Sequence, residues 1–140
     1  MNYLIDTCIL SEFTRRIPDE KVIQWIDNIE EEKLFLSVIT IGEIQRGIER
    51  LHESHRKTEQ LVWMNNQLIE RFAQRIIPLD TGTLCLWGSL SARLESSGIP
   101  MPVMDSLIAA TALQHNLVIV SRNVSNFVPC GVQIINPWEG

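Results

Sequence analysis

The sequence lacks any long apolar run. Across its 140 residues the longest hydrophobic stretches are broken within a few residues by a polar side chain, Gly or Pro. None approaches the ~20 residues that cross a bilayer. The opening Met1-Asn2-Tyr3-Leu4-Ile5-Asp6 has no basic segment, and an acid ends its apolar residues at once, so no secretory signal and a cytoplasmic protein are expected. Cysteine is scarce: Cys8, Cys85 and Cys130 are odd in number and show no C-x-x-C spacing. That excludes a disulfide framework and predicts buried, reduced thiols. His52, His55 and His115 have no matching cysteine pair, which excludes a zinc site of the usual spacing. Positive charge is also short, with 12 Lys and Arg against 17 Asp and Glu for a net charge of −5. This argues against holding nucleic acid on a broad basic face, but not against an enzyme that meets it at one metal-filled site. Aromatics make up 6%, and Trp25, Trp63, Trp87 and Trp138 are dispersed, which suits core or subunit contacts better than a base-stacking stripe. Repeats, linkers and biased segments are absent, and a 45% hydrophobic content excludes a disordered chain.

What the sequence does contain is an alternation of short apolar runs with longer helical patterns. Tyr3-Leu4-Ile5, Leu34-Phe35-Leu36-Ser37-Val38 and Leu117-Val118-Ile119-Val120 show no polar alternation, as strands buried on both faces do. Ile76-Ile77 and residues 132–135 are weaker candidates. Apolar spacing predicts helices over 19–31 (Val22, Ile26, Ile29), 40–51 (Ile41, Ile44, Ile48, Leu51) and 57–72 (Leu61, Met64, Leu68, Phe72). Two more are predicted over 80–95 (Leu84, Trp87, Leu94) and 102–115 (Met104, Ile108, Ala112). Thr40 is the expected cap of the second, with Glu43 at its third helical position; Asp80 caps the fourth and Asn116 ends the fifth. Strands alternating with helices predict one α/β domain over 1–140 with a mostly parallel sheet, in which the two consecutive helices of 40–72 project from the sheet or cover an edge.

In such sheets ligands gather outside the carboxyl ends of the strands. Asp6 directly follows the first strand, Glu43 lies early in the helix after the second, and Asp105 lies in the first turn of a helix entered through Pro100 and Pro102. Asn123 and Asn126 follow the strand ending at Val120. Each acid has a structural reading: Asp6 as a cap, Glu43 as half of a capping box with Thr40, Asp105 as a charge favoured at a helix start. Asn126 likewise reads as a turn residue. Together, carboxylates crowded at one rim repel one another unless a cation lies between them. A hard divalent ion with oxygen ligands, Mg²⁺ or Mn²⁺, suits them and supports displacement at phosphorus. The basic residues Arg46, Arg50, Arg56 and Lys57 are interleaved with Glu49, Glu53 and Glu59, which reads as a solvated face with i,i+4 pairs rather than as an RNA contact, and Glu30-Glu31-Glu32-Lys33 reads as a solvated helix end.

These residues resemble a known family. Leu4-Ile5-Asp6-Thr7-Cys8-Ile9-Leu10-Ser11-Glu12 is similar to the opening LIDTNxLSE of PIN-domain ribonucleases, and Leu36 to Ile48 to their second segment. Met104-Asp105-Ser106-Leu107-Ile108-Ala109-Ala110-Thr111-Ala112 resembles the third. Ser121-Arg122-Asn123 and Asn136-Pro137-Trp138 look like the close of the VapC and FitB-like toxins. The resemblance implies a five-stranded parallel sheet flanked by helices and an Mg²⁺- or Mn²⁺-dependent endoribonuclease. It also implies the toxin half of a type II toxin–antitoxin pair that cuts transfer or ribosomal RNA. The toxin would be dimeric, inhibited by a cognate antitoxin, and in contact with operator DNA only through that antitoxin. By the same resemblance Asp6, Glu43 and Asp105 are the metal-binding and catalytic acids, Thr7 supplies a hydroxyl beside the first, and Ser121 stands for the usual Thr. At the fourth position, where the family carries an acid, this chain has the amides Asn123 and Asn126. That opens a second reading: a catalytically weak PIN-fold binding module acting with an antitoxin on operator DNA.

Overall fold

The computed structural model describes residues 1–139. The apolar runs form five parallel strands: β1 (Tyr3–Ile5), β2 (Leu34–Ser37), β3 (Ile76–Ile77), β4 (Val118–Val120) and β5 (Ile134–Ile135), in the spatial order β3-β2-β1-β4-β5. Tyr3 pairs with Leu34 on one side and with Val118 on the other, which makes β1 the centre of the sheet. The chain winds outward from β1 in both directions, so the switch point of the topology lies at the carboxyl end of β1, beside β4.

The crossovers carry α1 (Thr7–Glu12), α2 (Glu20–Asp27), α3 (Val38–Glu49), α4 (His55–Trp63), α5 (Ile69–Arg71), α6 (Thr81–Ser96), α7 (Val103–His115) and α8 (Val124–Phe127). A π-helical turn, Met64–Leu68, joins α4 to α5. Successive strand residues face opposite sides. Ile5 and Val120 accordingly pack in one apolar layer with Ile9, Val22, Ile44, Leu68 and Phe72. Leu4 and Ile119 pack in the other with Leu90, Leu94, Ile108 and Ala112.

Several local expectations are corrected. Ser37, not Thr40, caps α3: its Oγ accepts from the Ile39 N–H at 3.0 Å. The helix therefore starts at Val38 and Glu43 stands in its second turn, so the capping box is overturned. Thr40 is instead buried inside the helix, its Oγ1 without a hydrogen-bond partner. The helix predicted over 19–31 stops at Asp27, and Glu31–Lys33 is a short 3₁₀ turn. Leu84 and Met104, assigned to apolar faces, are 45% and 50% exposed. Helix α6 buries Thr83, Leu90 and Leu94, while α7 buries Ser106 through Ala112 apart from half-buried Leu107. Of the cysteines only Cys130 is buried: Cys8 is partly so, and Cys85 lies on the outer face of α6. The remaining caps hold. Asp80 accepts from the Thr83 N–H at 2.8 Å, and Asn116 ends α7 with a left-handed φ of 56°. Among the described residues no helix is long and apolar enough to cross a membrane.

Candidate carboxylate site

Asp6 ends the central strand and is 5% exposed. Its backbone N–H still bonds the Val120 carbonyl at 3.0 Å, so the side chain leaves the sheet at the β1–β4 edge in a fixed direction. Both carboxylate oxygens are engaged. The Thr7 N–H donates to Oδ1 at 2.8 Å, which makes Asp6 the cap of α1, and the buried Ser121 hydroxyl donates to Oδ2 at 2.7 Å. Ser121 Oγ in turn accepts from the Asn123 N–H at 3.0 Å. The capping and site readings of Asp6 thus hold together, because a carboxylate has two oxygens.

Glu43 comes from the neighbouring crossover. Its Oε1 accepts from the Thr7 hydroxyl at 2.9 Å, so residues adjacent in sequence, Asp6 and Thr7, tie together two acids that are 37 positions apart. Burial pushes the Glu43 carboxyl up, the Thr7 bond opposes this, and the charges of Asp6 and then Asp105 push it up further. Asp105, in the first turn of α7, is also raised, by burial first and by Asp6 last, against the hydrogen bond from Asn126. The structure therefore brings Asp6, Glu43 and Asp105 to one rim, where Asp6 acts on both of the others and Asp105 acts on Glu43.

The two amides part company. Asn126 Nδ2 donates to Asp105 Oδ2 at 3.1 Å. Asn123 is exposed and makes no side-chain hydrogen bond at the start of α8. Asn126 is therefore the amide bonded to one of the three acids, and it sits inside α8 rather than in a plain turn.

Cys8 was missed. Its thiol lies 3.6 Å from Ser121 Oγ and 3.9 Å from Asp6 Oδ2, and accepts from the Arg122 N–H at 3.4 Å. Burial and then the Asp6 charge push this thiol up, keeping it protonated and able to donate to the acid. The available signal was its place two residues after Asp6, where the family motif carries a polar Asn. A groove of about 280 Å³ adjoins the rim, with Thr7, Glu43, Arg15, Arg56 and Trp63 in its walls. Arg56, read from sequence as part of a solvated face, lines it. Trp63 packs partly on the core and Trp138 is 9% exposed, as expected of core tryptophans.

The donor set is entirely oxygen, which suits a hard divalent ion, and the part of the raising that comes from like charge, of Asp6 and Asp105 on Glu43 and of Asp6 on Asp105, is what a cation among them would relieve. Among the described residues, no three His, Cys, Asp or Glu side chains stand close enough to enclose an ion as they are now turned. Thr7, Ser121 and Asn126 hold the three acids instead.

Comparison with known proteins gives these residues a context. The family model of the PIN domain matches residues 3–125. The chain is 33% identical to the VapC ribonuclease Y4jK of Sinorhizobium fredii over 136 residues, 97% of each chain. It is 31% identical to Toxin FitB of Neisseria gonorrhoeae over 97% of this chain and 98% of that one. The solved structure of FitAB bound to a DNA fragment superposes with a TM-score of 0.91 at 31% identity, covering 97% of this chain and 95% of the other.

Proposed function

The chain belongs to the PIN domain family, and from that premise we propose that it is a metal-dependent endoribonuclease, the toxin of a type II toxin–antitoxin pair. The observation that carries the reading is the meeting of Asp6, Glu43 and Asp105 at the switch point of the sheet, each bonded to a neutral donor and none to a basic side chain. Relatives named as a toxin and as a ribonuclease support it, at about one-third identity over nearly the whole chain.

Asp6, Glu43 and Asp105 would hold Mg²⁺ or Mn²⁺, which when bound supplies Lewis-acid polarisation of a phosphodiester oxygen and a more acidic water. The chain's own part is placement and proton transfer. Ser121 and the Thr7 N–H hold Asp6 in one rotamer, so the most buried of the three rim acids needs no reorganisation. The Thr7 hydroxyl occupies Glu43 Oε1 and leaves Oε2 to take a proton from the attacking water. The raised affinity of Glu43 for a proton suits it to that role. Asn126 holds Asp105 without adding charge.

The reading includes a homodimer in the cytoplasm, a cognate antitoxin that silences it, and operator DNA met only through that antitoxin. The FitAB–DNA assembly is the support for the last. Incubating purified protein with transfer and ribosomal RNA, in Mn²⁺ and in EDTA, tests the activity. Cleavage is expected in Mn²⁺ alone and is lost in Asp6→Asn. Intact RNA under every condition would mean that the chain is a binding module.

A further inference from the structure

Glu12 is a buried acid that the carboxylate rim does not use. Its side chain is 4% exposed, and one oxygen accepts from the Asp19 N–H at 2.8 Å while the other accepts from Arg15 Nη1 at 2.9 Å. Arg15 itself is 56% exposed, so only one edge of its guanidinium is committed. An arginine carries five N–H donors in a rigid fork, which leaves most of them free. A guanidinium anchored on a buried carboxylate also has less freedom to lose on binding than an ordinary surface arginine.

The free edge has a defined setting. Helix α1 runs from Thr7 to Glu12, a length of about 9 Å at 1.5 Å per residue, so Glu12 holds Arg15 roughly one short helix away from Asp6. Arg15 shares the walls of one groove with Thr7 and Glu43. That groove continues past Arg56 and Trp63 into a second of about 460 Å³, where Arg16 joins the lining. In a chain of net charge −5, these cations gather beside the one rim that would repel a polyanion.

The structure assigns Arg15 as a phosphate-binding residue for the RNA strand next to the bond being cut, with Glu12 as the positioning residue that aims it. The inference rests on the ribonuclease reading above. The groove opens on the rim at Thr7 and Glu43, so it offers a path for the phosphates that neighbour a phosphodiester brought to the carboxylates, and the guanidinium fork fits their oxygens.

The test is binding and cleavage of a short labelled single-stranded RNA over a salt series by wild type, Arg15→Ala, Arg15→Lys and Arg50→Ala. Arg50, the exposed cap at the end of α3, controls for net charge. Arg15→Ala is expected to weaken binding about fivefold and raise KM with little change in kcat. It should also lower the magnitude of the slope of log affinity on log salt by about 0.7, the loss of one single-strand phosphate contact. Arg15→Lys keeps the slope, and Arg50→Ala keeps both values. Glu12→Gln loosens binding in wild type and adds nothing to Arg15→Ala; should it fail to fold, the Arg15 series still decides. A wild-type slope in Arg15→Ala, with cleavage intact, overturns the assignment and leaves the ribonuclease reading standing. The same holds if Arg15→Ala weakens only a protein partner. Failure of wild type to bind or cut RNA removes both.

Discussion

Two glutamates at opposite ends of the parallel strands show how differently one residue type is used. Glu31 lies ahead of β2, at the amino end of the sheet. Arg71 donates to its carboxylate twice, at 2.9 and 2.7 Å, and Arg75 once, at 2.8 Å, with a further bond from Arg75 to the Glu31 carbonyl at 2.7 Å. Arg75 also donates to the Leu34 carbonyl at 2.6 Å and stacks on Phe72, so the clasp fastens the β2 and β3 edge to the last turn before β3. The Arg71 bonds hold the Glu31 carboxyl below its usual range. Glu43, at the carboxyl end, has only a hydroxyl for a partner and neighbours of its own charge, and its carboxyl is pushed up, by burial first and then by those neighbours. One acid is spent on holding the fold; the other is held in a state the fold alone does not favour. Unfavourable charge of this kind marks sites that a ligand completes.

The strongest way to break this contrast is through turnover. Asp6→Asn keeps an acceptor for the Thr7 N–H and a contact with Ser121, so it should fold normally while its RNA cleavage in Mn²⁺ falls by at least about a hundredfold. Glu31→Gln should cleave at the wild-type rate. Steady-state cleavage of the same RNA by both variants checks this, and equal losses would mean that the rim is no more chemical than the clasp.

Stability should separate the two glutamates with opposite signs. At neutral pH, Glu31→Gln removes the charge of a half-exposed carboxylate bonded to Arg71 and Arg75, a cost of about 1 kcal/mol or ~3 °C in Tm. A carboxyl held low in the folded state stabilises above its unfolded value near 4.3, and that contribution disappears as pH falls through the folded value. The Tm deficit of Glu31→Gln should therefore close in acid.

Glu43→Gln should do the reverse in EDTA, melting about 1–2 °C above wild type at neutral pH because it removes a charge that its neighbours repel. A carboxyl raised on folding favours the folded state while protonated, and that advantage is lost as pH rises through the folded value. Here the gap between variant and wild type should open with rising pH. Mn²⁺ should then raise the wild-type Tm more than that of the variant, by RT ln(1 + [L]/Kd), about 2.7 kcal/mol at a hundredfold excess for an intact site. Thermal melts at two pH values, with and without Mn²⁺, read both effects. A lower Tm of Glu43→Gln in EDTA would make Glu43 a structural residue like Glu31.

The rim was more legible in the sequence than the clasp. Asp6, Glu43 and Asp105 each sit just after a strand or early in a helix, so the alternation of elements predicted their convergence. Glu31 gave no such signal, because its partners lie 40 and 44 positions away and pair with it only once β2 and β3 are in register. The start of α3 was misread for a related reason. Val38-Ile39-Thr40-Ile41 is a β-branched run that prolongs a strand by local preference, yet Ser37 turns it into a helix under tertiary packing. The faces of α6 and α7 were legible in part: Leu94, Ile108 and Ala112 are buried as the spacing predicts, but Leu84 and Met104 point outward, and in α7 the small Ala109, Ala110 and Thr111 take the tight packing instead.

The finest distinction concerns the neutral fourth position. Asn126 touches Asp105 and Asn123 touches none of the acids through its side chain, so their aspartate variants should differ. Opposite charges about 4 Å apart attract by roughly 4 kcal/mol at an effective dielectric of 20. In Asn126→Asp most of this is offset: the hydrogen bond to Asp105 is lost, and two carboxylates at that separation repel each other until a cation or a proton joins them. The net expected gain in Mn²⁺ affinity is about twofold, ~0.5 kcal/mol, with a Tm in EDTA about 1–2 °C below wild type. Asn123→Asp should shift neither by a measurable amount. Calorimetric titration of Mn²⁺ into wild type and both variants resolves the pair. If Asn123→Asp tightens binding and Asn126→Asp does not, the amide that faces the cation is the one outside the hydrogen-bonded rim, and Asn126 serves only to hold Asp105.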